Sequence, residues 1–278
     1  MRFKKSLIAV FGLAASILLT ACGGGGQPAG GGDNAAKKDV TLKIGATPVP
    51  HAEMLAEIKN DLKDKGITLE VIEFNDYVQP NIALNDKELD ANFFQHEPYL
   101  NDFVKEHKEM KIKNAAGIHV EPMGIYSHKI KSLSDLPDGA KVSIPNDPTN
   151  GGRALLLLEK AGLLKLKDGV KETATVQDIA ENPKHLAISE VEAAQLPRTL
   201  DDVDISVINT NFAMNANLNP MKDALFMEDK TSPYVNIIVV REGDEKRAEI
   251  KELISALQND KMKKFILDKY NGAIVPAF

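Results

Sequence analysis

The chain has 278 residues, of which 43% are hydrophobic and 27% charged, an ordinary composition for a folded soluble protein. A net charge of −6 with no basic cluster argues against nucleic acid as a partner, and a single cysteine excludes an intramolecular disulfide. The length beyond the first 38 residues suits one large domain or two small lobes.

The amino terminus opens with Arg2, Lys4 and Lys5, an apolar run from Leu7 to Leu19, and then Leu19-Thr20-Ala21-Cys22. A charged start, an apolar middle and small residues before a cut predict an export signal over residues 1–21. The run is shorter than the about 20 apolar residues that a permanent span needs. Cys22 is then the expected lipidation site, its thiol taking a diacylglyceryl group. Residues 22–38 read as the lipidated cysteine and a Gly-rich tether, since GGGGQPAGGGDNAA cannot bury a core. Such a tether reaches roughly 20 Å. The expected location is the cell envelope, with the protein lipid-anchored to the periplasmic side of the inner membrane or to the outer membrane. Loss of Arg2, Lys4 and Lys5 with the signal takes the net charge from −6 to −9.

From Asp39 onward, short apolar runs alternate with amphipathic segments. Strands are predicted at 40–45, 67–72 and 89–94, with helices at 50–65, at 81–85 and from Pro98 to about His107. The middle repeats the pattern. A strand at 140–145 precedes a helix at 153–161 that stops at Gly162, and strands at 186–191 and 203–209 flank a short helix around 195–198. A buried strand follows Tyr234, and two polar-faced helices close the chain. This order favours a parallel, doubly wound sheet in two α/β lobes of unequal size.

No catalytic motif stands out. GxSxG, HExxH, a P-loop and GxGxxG in a βαβ setting are all missing, so neither an enzyme nor a cofactor is expected. His51, His96, His107, His119, His128 and His185 are scattered without ligand spacing, and no metal site is expected.

Three stretches are candidates for binding. Asn146-Asp147-Pro148-Thr149-Asn150-Gly151-Gly152-Arg153 joins a strand to a helix, where Thr149 or Asn150 could cap and the glycines could admit a ligand to the backbone. A guanidinium fork beside free N–H groups suits a carboxylate or phosphate. Phe93-Phe94-Gln95-His96-Glu97-Pro98-Tyr99 gathers three aromatics in seven residues of a chain that is only 5% aromatic. Asn209-Thr210-Asn211 and Ser232-Pro233-Tyr234-Val235-Asn236 place amides at strand ends, where they offer both donors and acceptors. The same residues equally fit a capped turn, core packing and turn asparagines.

Together, DANFFQHEPYL, SIPNDPTNGGRALLLLEKAGLLKLKDG, INTNFA and EDKTSPYVNIIVVR resemble the methionine-binding lipoproteins of the NlpA family, over residues 40–278. These are the substrate-binding subunits of methionine ABC importers. The resemblance implies an α/β, type II periplasmic-binding-protein fold, with two lobes joined by a hinge and the ligand between them. Lobe I would comprise 39–122 plus 225–278, and lobe II 123–224. It further implies that Arg153 binds the substrate carboxylate, that Asn211 and Asn236 hold the amino-acid head group, and that Phe94, His96, Tyr77 and Tyr99 surround the thioether. Implied partners are L-methionine, the permease and ATPase subunits of the importer, and a membrane through the lipid anchor. A metal-binding receptor and a surface adhesin or scaffold lipoprotein are the alternatives.

Overall fold

The computed structural model describes residues 39–278; the signal segment 1–21, Cys22 and the tether 22–38 lie outside the described residues. Val40, Leu42 and Ile44 alternate with Thr41 and Lys43 to make β1 (Val40–Ala46), whose apolar side is fully buried at Leu42 and Ile44. A turn through Pro48–Ala52 leads to α1 (Glu53–Glu57) and α2 (Lys59–Lys63), then β2 (Ile67–Glu73) and α3 (Gln79–Asn85). The segment closes with β3 (Ala91–His96), α4 (Glu97–Glu106) and β4 (Ile112–Val120).

The chain then builds β5 (Gly124–Tyr126), β6 (Lys141–Pro145), α5 (Pro148–Lys160), β7 (Lys165–Leu166) and β8 (Ile179–Glu181). β9 (Ala187–Val191), β10 (Ile205–Ile208), α6 (Thr210–Asn215), α7 (Pro220–Asp223) and β11 (Ala224–Met227) complete this part. Last come β12 (Val235–Arg241), α8 (Ala248–Leu257), α9 (Asp260–Tyr270) and β13 (Val275–Pro276).

These strands make a six-stranded sheet in the order β13-β4-β12-β3-β1-β2 and a five-stranded sheet in the order β11-β5-β10-β6-β9, with β7 and β8 as a separate pair. The chain passes from the first sheet to the second through 121–123 and returns through 228–234. Two α/β layers linked by two crossings match the expected fold class. The expected all-parallel arrangement does not hold. β1 runs parallel to β2 and β3, and β6 parallel to β9 and β10, but β12 is antiparallel to β3 and β4. β12 enters the first sheet after the whole excursion through the second, so no right-handed βαβ crossover sets its direction.

Other expectations shift locally. The helix expected at 50–65 is divided at Ile58 and starts beyond the turn at Pro48–Ala52. The strand expected at 89–94 lies at 91–96. β11 pairs with β5, so residues 225–227 belong with the second sheet rather than with the carboxyl-terminal segment.

The first sheet packs Leu42, Ile44 and Phe93 against Leu253 and Ile266 of α8 and α9. Leu84, Leu89, Ile237 and Val239 form a second cluster. Val142, Ile144 and Val207 of the second sheet pack on Leu155 and Leu158 of α5. Each such side chain stabilises by about 1.5–3 kcal/mol on burial. Among the described residues no helix is long and apolar enough to cross a membrane.

Candidate functional site

β3 is buried along its whole length and runs straight into α4, so the chain turns at Phe94-Gln95-His96. His96 is the N-cap of α4: its Nδ1 accepts from the Tyr99 amide at 3.1 Å. The ring proton therefore sits on Nε2, which donates to Asn150 Oδ1 at 3.0 Å. Burial, reinforced by the nearby charge of Arg153, pushes the His96 pKa down to about 3, so the ring is neutral. Because Asn150 lies in the first turn of α5, this bond joins an element of the first sheet to one of the second.

α5 starts at Pro148, five residues earlier than expected, and Asp147 caps it in place of Thr149 or Asn150. The Asp147 carboxylate accepts from the Asn150 amide at 2.9 Å and from the Thr149 hydroxyl at 3.0 Å. Gly151 and Gly152 consequently fall inside the helix. A Cβ on Gly152 would stand 2.2 Å from the Glu172 carbonyl oxygen, and one on Gly151 2.9 Å from that of Pro145. The glycines admit the protein's own backbone, and that corrects their reading as an opening for ligand.

Arg153, one turn further on, is buried. Its Nε donates to Glu228 Oε1 at 2.8 Å, and its Nη2 donates to Glu228 Oε2 at 2.5 Å and to the Glu121 carbonyl at 2.7 Å. The guanidinium carbon lies 4.2 Å from the Tyr234 ring centre. Among the described residues these bonds use Nε and Nη2 and not Nη1. Burial opposes the charge, but the Glu228 carboxylate outweighs it and raises the Arg153 pKa. Glu228 Oε2 also accepts from the Met123 amide at 3.0 Å, which ties the guanidinium to both chain crossings.

Asn211, in α6, accepts the Tyr77 hydroxyl on its Oδ1 at 2.6 Å. Asn236, on β12, places its Oδ1 3.1 Å from His51 Nε2. Tyr77, Phe94 and Tyr99 form an aromatic wall with ring centres 5.7–6.2 Å apart, extended by Phe212 at 4.8 Å from Tyr77. Tyr99 is fixed by donating its hydroxyl to the Tyr77 carbonyl at 2.9 Å.

The seven residues expected at the site, Arg153, Asn211, Asn236, His96, Phe94, Tyr99 and Tyr77, all line one cavity. Gln95, Glu121, Asn150, Asn209 and Thr210 also line it. Four of these five sat inside the quoted stretches without being singled out as ligand contacts. Glu121 had no signal beyond a polar pair, His119 and Glu121, in an otherwise apolar run.

His51, His119 and Glu121 are buried with their ligand-capable atoms within 4.8 Å of one another. By distance this trio could hold a divalent cation, although residues so far apart in sequence showed no spacing to suggest it. His119 Nε2 lies 2.8 Å and His51 Nε2 3.2 Å from Glu121 Oε1.

A cavity closed by elements of two sheets that two chain crossings link is the arrangement of a substrate-binding protein that holds one small solute. The chain belongs to the NlpA lipoprotein family, whose model matches residues 42–278. It is 45% identical over 281 residues to the D-methionine-binding lipoprotein MetQ of Escherichia coli strain K12, covering 99% of each chain. It is 43% identical to the methionine-binding lipoprotein MetQ of Bacillus subtilis strain 168, covering 98% of each. The solved structure of a nutrient binding protein from Burkholderia cenocepacia bound to methionine superposes with a TM-score of 0.82 at 50% identity, over 85% of this chain and all of that one.

Proposed function

We propose that this protein binds methionine, L-methionine foremost, outside the cytoplasm and delivers it to an ABC importer, without catalysing a reaction on it. The observation that carries this reading is the cavity's mixed lining: the buried Arg153 guanidinium and the Tyr77, Phe94 and Tyr99 rings border the same space. A buried zwitterion needs a partner for each charge. Arg153 serves the carboxylate, Asn211 and Asn236 the head group, and Phe94, His96, Tyr77 and Tyr99 the thioether. A thioether gains about 0.3–1.5 kcal/mol from each aromatic edge. The methionine named for both MetQ relatives and for the Burkholderia structure agrees with that division.

Lobes of 39–122 with 228–278 and of 123–227 would close on the ligand by bending at the two crossings, and the loaded form would dock on the permease of the importer, whose ATPase subunits drive release. Lipid on Cys22 would keep the carrier at the envelope membrane. Isothermal calorimetry with the purified chain tests the specificity. A tight heat signal is expected for L-methionine; its absence, with strong binding of another amino acid, would sink the proposal.

A further inference from the structure

We infer that Glu121 receives the ligand's ammonium group and that His51 and His119 are positioning residues that hold it for that purpose, so that the site selects for an α-amino group. This rests on the amino-acid reading above and deepens it. The two amides assigned to the head group already have partners on their oxygens: Tyr77 on Asn211 and His51 on Asn236. Glu121 lines the same cavity, and among the described residues no side-chain cation is hydrogen-bonded to its carboxylate.

The protons can be placed from geometry. The Thr47 hydroxyl lies 2.6 Å from His51 Nδ1. The other face of that ring, at Nε2, meets Asn236 Oδ1, an acceptor, at 3.1 Å, with Glu121 Oε1 3.2 Å away. His51 thus carries its proton on Nε2, and the Thr47 hydroxyl donates to Nδ1. His119 Nδ1 is buried with no partner. A bare lone pair there is tolerable, whereas an orphaned buried N–H is rare, so His119 also carries its proton on Nε2. His119 Nε2 then donates to Glu121 Oε1, while the His51 Nε2 proton, bonded to Asn236 Oδ1, lies beside the same oxygen. Burial works against a charge on Glu121, and the Arg153 guanidinium and the Asn211 main chain favour one. Neutral imidazoles orient the carboxylate without cancelling its charge. The cation that completes it must come with the ligand.

Position supports the same assignment. Arg153 Nη2 donates to the main-chain oxygen of Glu121 itself, at 2.7 Å. The guanidinium for a carboxylate and the carboxylate for an ammonium are therefore neighbours, as two groups borne on one α-carbon require.

Calorimetry with L-methionine and with γ-methylthiobutyrate, the same molecule without its amino group, tests the inference. The wild-type chain is expected to prefer methionine on the order of a hundredfold or more, since a buried acceptor left without its donor rejects the analogue. Glu121→Gln keeps the shape and removes the charge, and should cut the preference below about tenfold, mainly through weaker methionine binding. His119→Leu and His51→Leu should shrink the same preference, while His119→Gln and His51→Gln, which retain a donor, should restore most of it. Equal loss of both ligands in the leucine variants would mark a packing role and overturn the positioning assignment. An undiminished preference in Glu121→Gln would overturn the acceptor assignment. Stoichiometric zinc uptake that His119→Leu abolishes would replace both with a metal site. Where a leucine variant fails to show a cooperative melt, Glu121→Gln and the glutamine variants decide. A wild-type chain that binds a different amino acid ends the methionine reading alone, and the comparison is then made with that amino acid and its desamino form.

Discussion

Arg153 and Glu228 show how one side chain is held in place. The guanidinium is locked by a two-point contact to a carboxylate on the second crossing and by the Tyr234 face, and in the proposed function Nη1 would meet the ligand. Removing one member of a buried hydrogen-bonded charge pair typically costs about 2–5 kcal/mol. Arg153→Ala should therefore lower methionine affinity by at least about thirtyfold in calorimetry. Glu228→Gln, which keeps one acceptor, should lose less and leave the preference for the amino group intact. A second prediction concerns protons. Burial holds His51 at about 4 and both His96 and His119 at about 3, against an ordinary value of 6.5. In the unfolded chain these rings protonate first as the pH falls. The stability they contribute is thus complete above about 6.5 and drains away toward their folded values, by about 1 kcal/mol per ring and pH unit inside that window. The buried Glu121 carboxyl, whose pKa burial raises, offsets part of this. Melting temperatures between about pH 7 and pH 5 should fall, and less steeply in His119→Gln.

Among the elements, α5 has the largest stake in the site, because Asn150 and Arg153 both ride on its first two turns. Its start depends on Asp147, so Asp147→Ala should cost about 0.5–2 kcal/mol of stability. It should also weaken methionine binding, since Asn150 Nδ2 loses its hold on the cap at 3.0 Å; chemical denaturation and calorimetry on one preparation would measure both. This helix also shows what could be read beforehand. Asp147-Pro148 is an N-cap followed by proline at the first helical position, a legible start. Two glycines within the next turn pointed to a later one, and only the contact of Gly152 with the 172–174 backbone accounts for them. The strand-to-helix junctions at 94–99 and 146–153 were legible because aromatics, glycines and an arginine gather there. β4 was not, since IKNAAGIHV alternates weakly and half-buried residues occupy much of it. Glu121 and Glu228 were hidden for a different reason: each lies on or beside a chain crossing, and its partners are chosen by how the two sheets meet. The same holds for His51 and His119, which come together only through tertiary packing.

At the scale of the whole molecule, the two sheets share more than a cavity. Tyr77 donates to Asn211 at 2.6 Å and His96 to Asn150 at 3.0 Å, both between an element of the first sheet's side and one of the second's, and both made by protein atoms alone. In the proposed closure these bonds would act as a latch made by the protein alone. A net hydrogen bond of about 0.5–1.5 kcal/mol shifts the balance between shut and open by roughly two- to twelvefold. Dwell time would then depend partly on bonds that the protein makes to itself. Tyr77→Phe keeps the aromatic wall and removes the latch hydroxyl, and should speed ligand escape by up to about tenfold in stopped-flow measurements, with little change in the rate of capture. A carrier tuned this way trades scavenging from dilute surroundings against the pace of hand-over, and a single phenol oxygen is enough to move it along that scale.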